Sequence, residues 1–261
     1  MGLVFLCANN SENVPMELAY ANEDQEIELA KRQVNVSNDL VTAAHGLTLG
    51  EKRVVMGCVA QLDSLRLESG RYKVKMSALD FAATFKIEPQ TAYEQLKAVS
   101  SRLYERSIKR VINTPKGKKI STHRWVSSVT YHEGEGWIEL GFSHEATPYL
   151  VALRGCHTSY KLEQASALRS VYSWRLLEIL MQFKGTGLVR TPIEDFYHAM
   201  EVPETYRKNF KDLRNRVIEP AVKELQEKDH WIIEWKGTKR GGRKITGLEF
   251  NFKRDPQQKL F

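Results

Sequence analysis

Two stretches of this chain repeat one spacing of residues. Asp80-Phe81, Phe85 and Ile87 are matched at identical intervals by Asp195-Phe196, Met200 and Val202. A proline follows each set (Pro89 and Pro203), then a longer helical pattern, then β-like segments broken by glycine-containing turns. An internal duplication constrains the fold more than any local propensity, because both copies have to bury equivalent faces.

The first copy, "YKVKMSALDFAATFKIEPQTAYEQLKAVSSRLYERSIKRV" (72–111), predicts a strand ending at Met76 and a helix capped by Ser77 and running through Phe85. After the turn "KIEPQ", a second helix is expected from about Thr91 to Glu105, with Leu96, Val99 and Leu103 on one face. "SIKRVINT", "HRWVSSVTY" and "GWIELGF" read as strands. Upstream, Ser37 or Asn38 can cap a short helix, and Val54, Val55, Cys58, Val59 and Leu62 have helical spacing. Between the copies, "YKLEQASALRSVYSWRLLEILMQF" (160–183) reads as one helix. In the second copy, Thr191 is expected as cap and Pro192 as first helical residue of a helix to about Met200. "NFKDLRNRVIEPAVKEL" (209–225) is the next helix, and "HWIIEWKG" and "KITGLEFNF" are strands around the turn "GTKRGGRK". Leu213, Val217, Ala221 and Leu225 pass Pro220 without losing step, so one helix is expected, bent near Arg216–Pro220, although proline costs about 3 kcal/mol in a helix interior.

A helix–turn–helix followed by a two-stranded ribbon is the winged-helix pattern. The fold class expected is α+β, with two tandem winged-helix domains related by internal duplication. The boundaries read as a mobile acidic leader (1–33), a first domain (34–155), a second domain (156–254) and a tail (255–261). This pattern suits DNA: the second helix fits the major groove and the ribbon sets cations against phosphates.

Charge placement points the same way. The net charge is +7, but residues 1–30 carry six acids and no Lys or Arg, which leaves +13 on the rest. A basic body fits a polyanionic partner, and simple solubility explains the same number. Arg207, Lys208, Lys211, Arg214 and Arg216 crowd the start of helix 209–225, the end where the macrodipole disfavours them. Arg207, Lys211 and Arg214 lie on a line that continues as Ile218, Val222 and Leu225. Such a line fits a helix whose first turns protrude and whose later turns are buried, which a solvated basic face would not need. The wing "KGTKRGGRK" supplies Lys236, Lys239, Arg240, Arg243 and Lys244; a flexible charged hairpin tip would look similar. The first copy offers Gln90, Thr91, Tyr93, Gln95 and Lys97, where Gln can read adenine but a polar helix surface is equally ordinary. "NTPKGKKIST", with Lys118 and Lys119, and Arg124 make a candidate first wing.

Other chemistries find little support. The seven histidines form neither HExxH nor a zinc cluster, and there is no His-x-His pair. "GKK" lacks the glycine spacing of a phosphate-binding loop, and GxSxG and GxGxxG are absent. Asp80 and Asp195 read as surface or capping groups, and the five tryptophans as packing. No enzymatic activity, metal or cofactor is expected. Cys7, Cys58 and Cys156 are odd in number without CxxC spacing, which points to a reducing compartment. Leu3–Leu6 is too short to span a bilayer and follows no cation, and position 6 is not the Ser or Thr of a myristoylation signal. A cytoplasmic location with no membrane partner is expected.

"VSNDLVTAAHGLTLGEKRVV", "FKIEPQTAYEQLKAVSSRL", "YKLEQASALRSVYSWRLLEIL" and "FKDLRNRVIEPAVKEL…GRKITGLEFNF" together resemble the iteron-binding plasmid replication initiators, the family that includes the initiator of the F plasmid and the π initiator. The resemblance spans about residues 34–254. It implies a C-terminal winged helix that makes the stronger major-groove contacts, with Arg214, Asn215 and Arg216 after Leu213 matching the family's contact cluster. It also implies monomers that start replication at directly repeated double-stranded sites, and dimers, formed through the N-terminal domain, that repress their own gene. Host helicase and host initiator are implied partners. Two winged helices on successive major grooves sit about 10.5 bp apart, so one monomer should cover roughly 20 bp. The leading expectation is therefore a plasmid replication initiator. A winged-helix transcription regulator is the alternative, and a nicking replication enzyme is disfavoured by the missing His-x-His.

Overall fold

The computed structural model describes residues 28–62, 72–153, 155 and 157–255. Expectations placed on residues before 28, on Cys7 and Cys156, and on the tail after 255 lie outside them.

Short polar residues start the helices of the first unit. Strand β1 (Gln33–Ser37) ends on Ser37, whose hydroxyl accepts the Leu40 N–H at 3.2 Å and so caps α1 (Asn38–Thr42). Thr48 and Glu51 form a reciprocal capping box at the head of α2 (Leu49–Val59). Strand β2 (Lys73–Ser77) leads into α3 (Ala78–Phe85), where Ser77 accepts the Asp80 N–H at 3.0 Å. Helix α4 (Pro89–Leu103) opens on its proline and buries Ala92, Leu96, Val99 and Leu103. Four strands follow: β3 (Ser107–Thr114), β4 (Gly117–Arg124), β5 (Val126–His132) and β6 (Trp137–Phe142).

Next come β7 (His157–Lys161), α5 (Leu162–Ser166) and α6 (Val171–Met181). The second unit comprises β8 (Leu188–Pro192), α7 (Ile193–Ala199), α8 (Glu204–Arg207), α9 (Phe210–Leu213), a π turn (Arg214–Ile218), α10 (Glu219–Asp229), β9 (Trp231–Thr238) and β10 (Gly247–Arg254).

The duplication is visible in topology. The first unit's sheet has the order β2-β6-β5 and the second has β8-β10-β9, so in each copy the strand before the helices pairs with the last strand of the hairpin. The turns share their backbone conformation and one hydrogen bond. Lys86 and Glu201, six residues after the two aspartates, are both left-handed, with φ of 49° and 50°. The next residue in each donates back to the first helix, Ile87 N–H to Ala82 O and Val202 N–H to Tyr197 O. Phe81, Phe85, Phe196 and Met200 are buried in one continuous core.

Four expectations need correction. The first wing is not the hairpin holding Lys118 and Lys119. β3 and β4 form a separate two-stranded ribbon, tied to the rest of the unit by one antiparallel bridge between Lys109 and Ala44 and lacking in the second unit, and the wing is β5–β6 with its turn at Glu133–Gly136. The segment 160–183 is not one helix. Its break at 167–170 is held from afar: Arg53 donates to the Leu168 carbonyl, Glu224 accepts the Arg169 N–H, and Ser170 caps α6. Thr191 and Pro192 belong to strand β8, and Pro192 stands as N-cap of α7, one place earlier than first helical residue. Finally, β1 and β7 form one antiparallel pair across the expected boundary at 155/156, so the first unit extends past it.

Candidate nucleic-acid interface

Helix 210–229 is continuous. Asn209 is extended and its side chain accepts the Lys211 N–H at 2.9 Å, which fixes where the helix begins. Leu213, Val217, Ile218, Ala221, Val222 and Leu225 are buried. Lys208, Lys211, Arg214, Asn215 and Arg216 are exposed. The line from Lys211 and Arg214 to Ile218, Val222 and Leu225 does change from charged and exposed to apolar and buried.

The expectation near Arg216–Pro220 is a bend; what the helix carries there is a π turn over Arg214–Ile218. Pro220 has no N–H for the Arg216 carbonyl, and the Glu219 N–H instead reaches the Arg214 carbonyl, five residues back. On a regular α-helix, residues four apart drift by about 40° per step. A wider turn absorbs part of that drift and keeps the four-residue stripe on the core. It also narrows the angle between consecutive residues below the roughly 100° of an α-helix. Arg214, Asn215 and Arg216 therefore project as a tighter fan.

The cations differ in freedom. Arg207 is structural: its Nε donates to the Val202 carbonyl at 2.7 Å and its guanidinium lies over Tyr197. Arg214 pairs with Glu219 at 3.0 Å across the π turn, and Arg216 lies over Tyr206. These pairs are exposed and weak, so phosphate or a base edge can displace them. Lys208 and Lys211 have no ion pair among the described residues.

In the wing, β9 and β10 close at Thr238 opposite Gly247. Lys239, Arg240, Arg243 and Lys244 are exposed and carry no ion pair among the described residues. Gly241, with φ of 64°, supplies the left-handed step at the tip. Lys236 instead lies on the sheet, 2.8 Å from Glu249, which Arg190 also holds at 2.7 Å. Those two hydrogen bonds, that of Lys236 first, hold the Glu249 carboxyl down at about 2.

The first unit's reading face is mixed in charge. Gln90 bonds Glu94 at 3.2 Å, and Lys97 pairs with Glu133 of the wing turn. Thr91 is exposed. Tyr93 packs edge-on against Tyr131 beside Gly136, and Gln95 is half-buried, lining a surface hollow with Thr48 and Arg53. The basic surface of this unit is the β3–β4 ribbon, which has six Lys or Arg and no acid. Arg110 and Arg124 are paired with Asp39 and Glu105, whereas Lys109, Lys116, Lys118 and Lys119 have no ion pair among the described residues.

The junction between the units escaped the sequence reading. His45, buried, has Nε2 2.6 Å from the Leu40 carbonyl and Nδ1 3.2 Å from Arg175 Nη1, so Nε2 carries the proton. Burial first, then the charges of Arg175 and Lys52, push the imidazole well below its ordinary 6.5. His198 is lowered too, by burial and then by Arg175. An unfolded histidine takes a proton near pH 6.5 and these two do not, so the unfolded state binds more protons below that pH. The chain is therefore expected to lose thermal stability as pH falls through 6.5, and less steeply with His45→Gln, as thermal melts from pH 8 to 5 would record.

Known proteins share this arrangement. The family model described as "Initiator Replication protein, WH1" matches residues 33–181, and "Initiator Rep protein, WH2" matches 192–252. The first match keeps β7, α5 and α6 with the first unit, as the β1–β7 pairing does. The chain is 29% identical over 218 residues to an uncharacterized 27.6 kDa protein of Escherichia coli, covering 78% of this chain and 89% of that protein. It is 25% identical over 257 residues to the PI protein of Escherichia coli, covering 85% and 83%. The crystal structure of Pi initiator protein in complex with iteron DNA matches with a TM-score of 0.73 at 23% identity, over 87% of this chain and 99% of that one.

Proposed function

The chain belongs to the initiator replication protein family, and on that premise we propose that it starts plasmid replication by binding directly repeated origin sites as a monomer. Bound repeats strain the neighbouring duplex towards opening and gather host helicase and initiator. The protein does this by binding alone, without a catalytic step, metal or cofactor, in the cytoplasm. Dimers formed through the first unit repress its own gene.

One observation carries the reading: the second unit sets exposed cations at both places where a winged helix meets DNA, the first turns of helix 210–229 and the tip of the β9–β10 wing. Phosphates and guanine edges offset the macrodipole there. The relative solved with iteron DNA supports direct repeats as the target.

Footprinting on the DNA beside the gene tests it. Protection of tandem repeats of roughly 20 bp is expected; protection confined to inverted operators would replace initiation with transcription control. Within a protected repeat, Arg214→Ala should weaken binding by about 1–3 kcal/mol, roughly 10- to 100-fold, and relax the preference at one base pair. Titrating the variant against single-base-substituted duplexes measures both, with an unchanged melting curve as control.

A further inference from the structure

The two repeats differ at their left-handed residue. Lys86 in the first is exposed and has no ion pair among the described residues. Glu201 in the second reaches across to the first unit. Its carboxylate accepts the His45 N–H at 2.7 Å and the Gly46 N–H at 2.9 Å, and lies 2.8 Å from Arg175. Arg175 is itself buried, and donates to the Ala43 carbonyl at 2.7 Å and to the Ala199 carbonyl. His45, held at both ring nitrogens, stands edge-on to buried Trp125 at 5.2 Å.

Three segments therefore meet at one guanidinium: loop 43–46, helix α6, and the corner 199–201. That corner is the turn of the second helix–turn–helix, so its place determines where helix 210–229 stands relative to the first unit. Parting the units would strand a buried guanidinium and a carboxylate, which costs far more than losing an exposed pair.

The geometry points to Glu201 and Arg175 as positioning residues that join the two DNA-reading units into a ruler, restricting binding to sites whose two contacted segments keep one spacing. This rests on the proposal that both units lie on duplex DNA. Each base pair inserted between the segments turns the second by about 34° and moves it about 3.4 Å. A rigid pair of units cannot follow both, whereas a hinged pair can.

The test uses the full chain and a duplex selected by the wild-type protein from random 22-bp sequences. Derivatives carry one or two base pairs inserted between the two protected segments, or the second unit's segment alone. Wild-type protein is expected to lose at least about 10-fold in affinity on a one-base-pair insertion. Glu201→Gln should lose less than about 3-fold, while binding the isolated segment as wild type does. Glu201→Asp, which keeps the charge but shortens the reach, should fall between them. Equal tolerance of insertions by wild type, or undiminished discrimination by a Glu201→Gln chain that still binds the isolated segment, overturns the ruler. A Glu201→Gln chain that does not bind the isolated segment passes the decision to the wild-type insertion series and the Asp variant. Selection of no sequence at all would instead overturn the proposed function.

Discussion

Replacing Lys52 by methionine is expected to lower stability by about 3–5 kcal/mol and the melting temperature by roughly 6–20 °C. Lys52 is wholly buried, with Nζ 2.7 Å from Glu178 and over the Trp174 ring. Glu178 also accepts the Tyr160 hydroxyl at 2.9 Å, and that oxygen accepts the Trp174 Nε1–H at 2.8 Å. Four large side chains thus depend on one ion pair. Removing the cation leaves a carboxylate in the core, which is the costly case; removing both charges is not. The double variant Lys52→Met with Glu178→Met should therefore recover much of the loss, the remainder reflecting the Tyr160 hydroxyl left without its acceptor. Thermal and urea melts of the two variants decide it. A Lys52→Met chain within 1 kcal/mol of wild type would mean that water or a rearranged partner reaches Glu178.

The other large effect concerns DNA. Changing Lys239, Arg240, Arg243 and Lys244 together to alanine should flatten the slope of log affinity against log salt by roughly 3–4. Between 50 and 200 mM salt, wild-type protein would then lose roughly 100-fold more affinity than the variant. Repeat and random duplexes should be affected alike, because phosphate contacts carry no sequence information. Stability should stay within about 0.5 kcal/mol, since these side chains are exposed and have no ion pair among the described residues. Salt titrations by fluorescence anisotropy measure the slope directly. An unchanged slope would place the wing away from the backbone.

What was legible in the sequence was local or repeated. Ser77 announces a helix start, and the shared spacing after Asp80 and Asp195 locates two turns even though Lys and Glu are unlike residues for a left-handed position. The change from cation to apolar residue along helix 210–229 identifies its protruding end, because burial is graded along a docked helix. Long-range choices were not legible. Both hairpins of the first unit alternate and turn on glycine, and only pairing with β2 decides which is the wing. The break before α6 depends on Arg53 and Glu224, distant in the chain. Lys236 reads as a wing contact, and nothing local to it announces that Glu249 lies beside it on the sheet. Pro220 points to a bend, but not to the π turn with which the chain answers.

That π turn bears on how the helix can change over generations. A helix bonded in α fashion throughout cannot gain or lose one residue without rotating everything beyond it by about 100°. Here the surplus residue is already accommodated between Leu213 and Glu219, ahead of the turns where Ala221, Val222 and Leu225 are buried. The two ends of the helix are thereby decoupled as units of inheritance. The exposed Lys208, Lys211, Arg214, Asn215 and Arg216 can drift towards a new DNA sequence while Asn209, Leu213 and the anchoring half stay as they are.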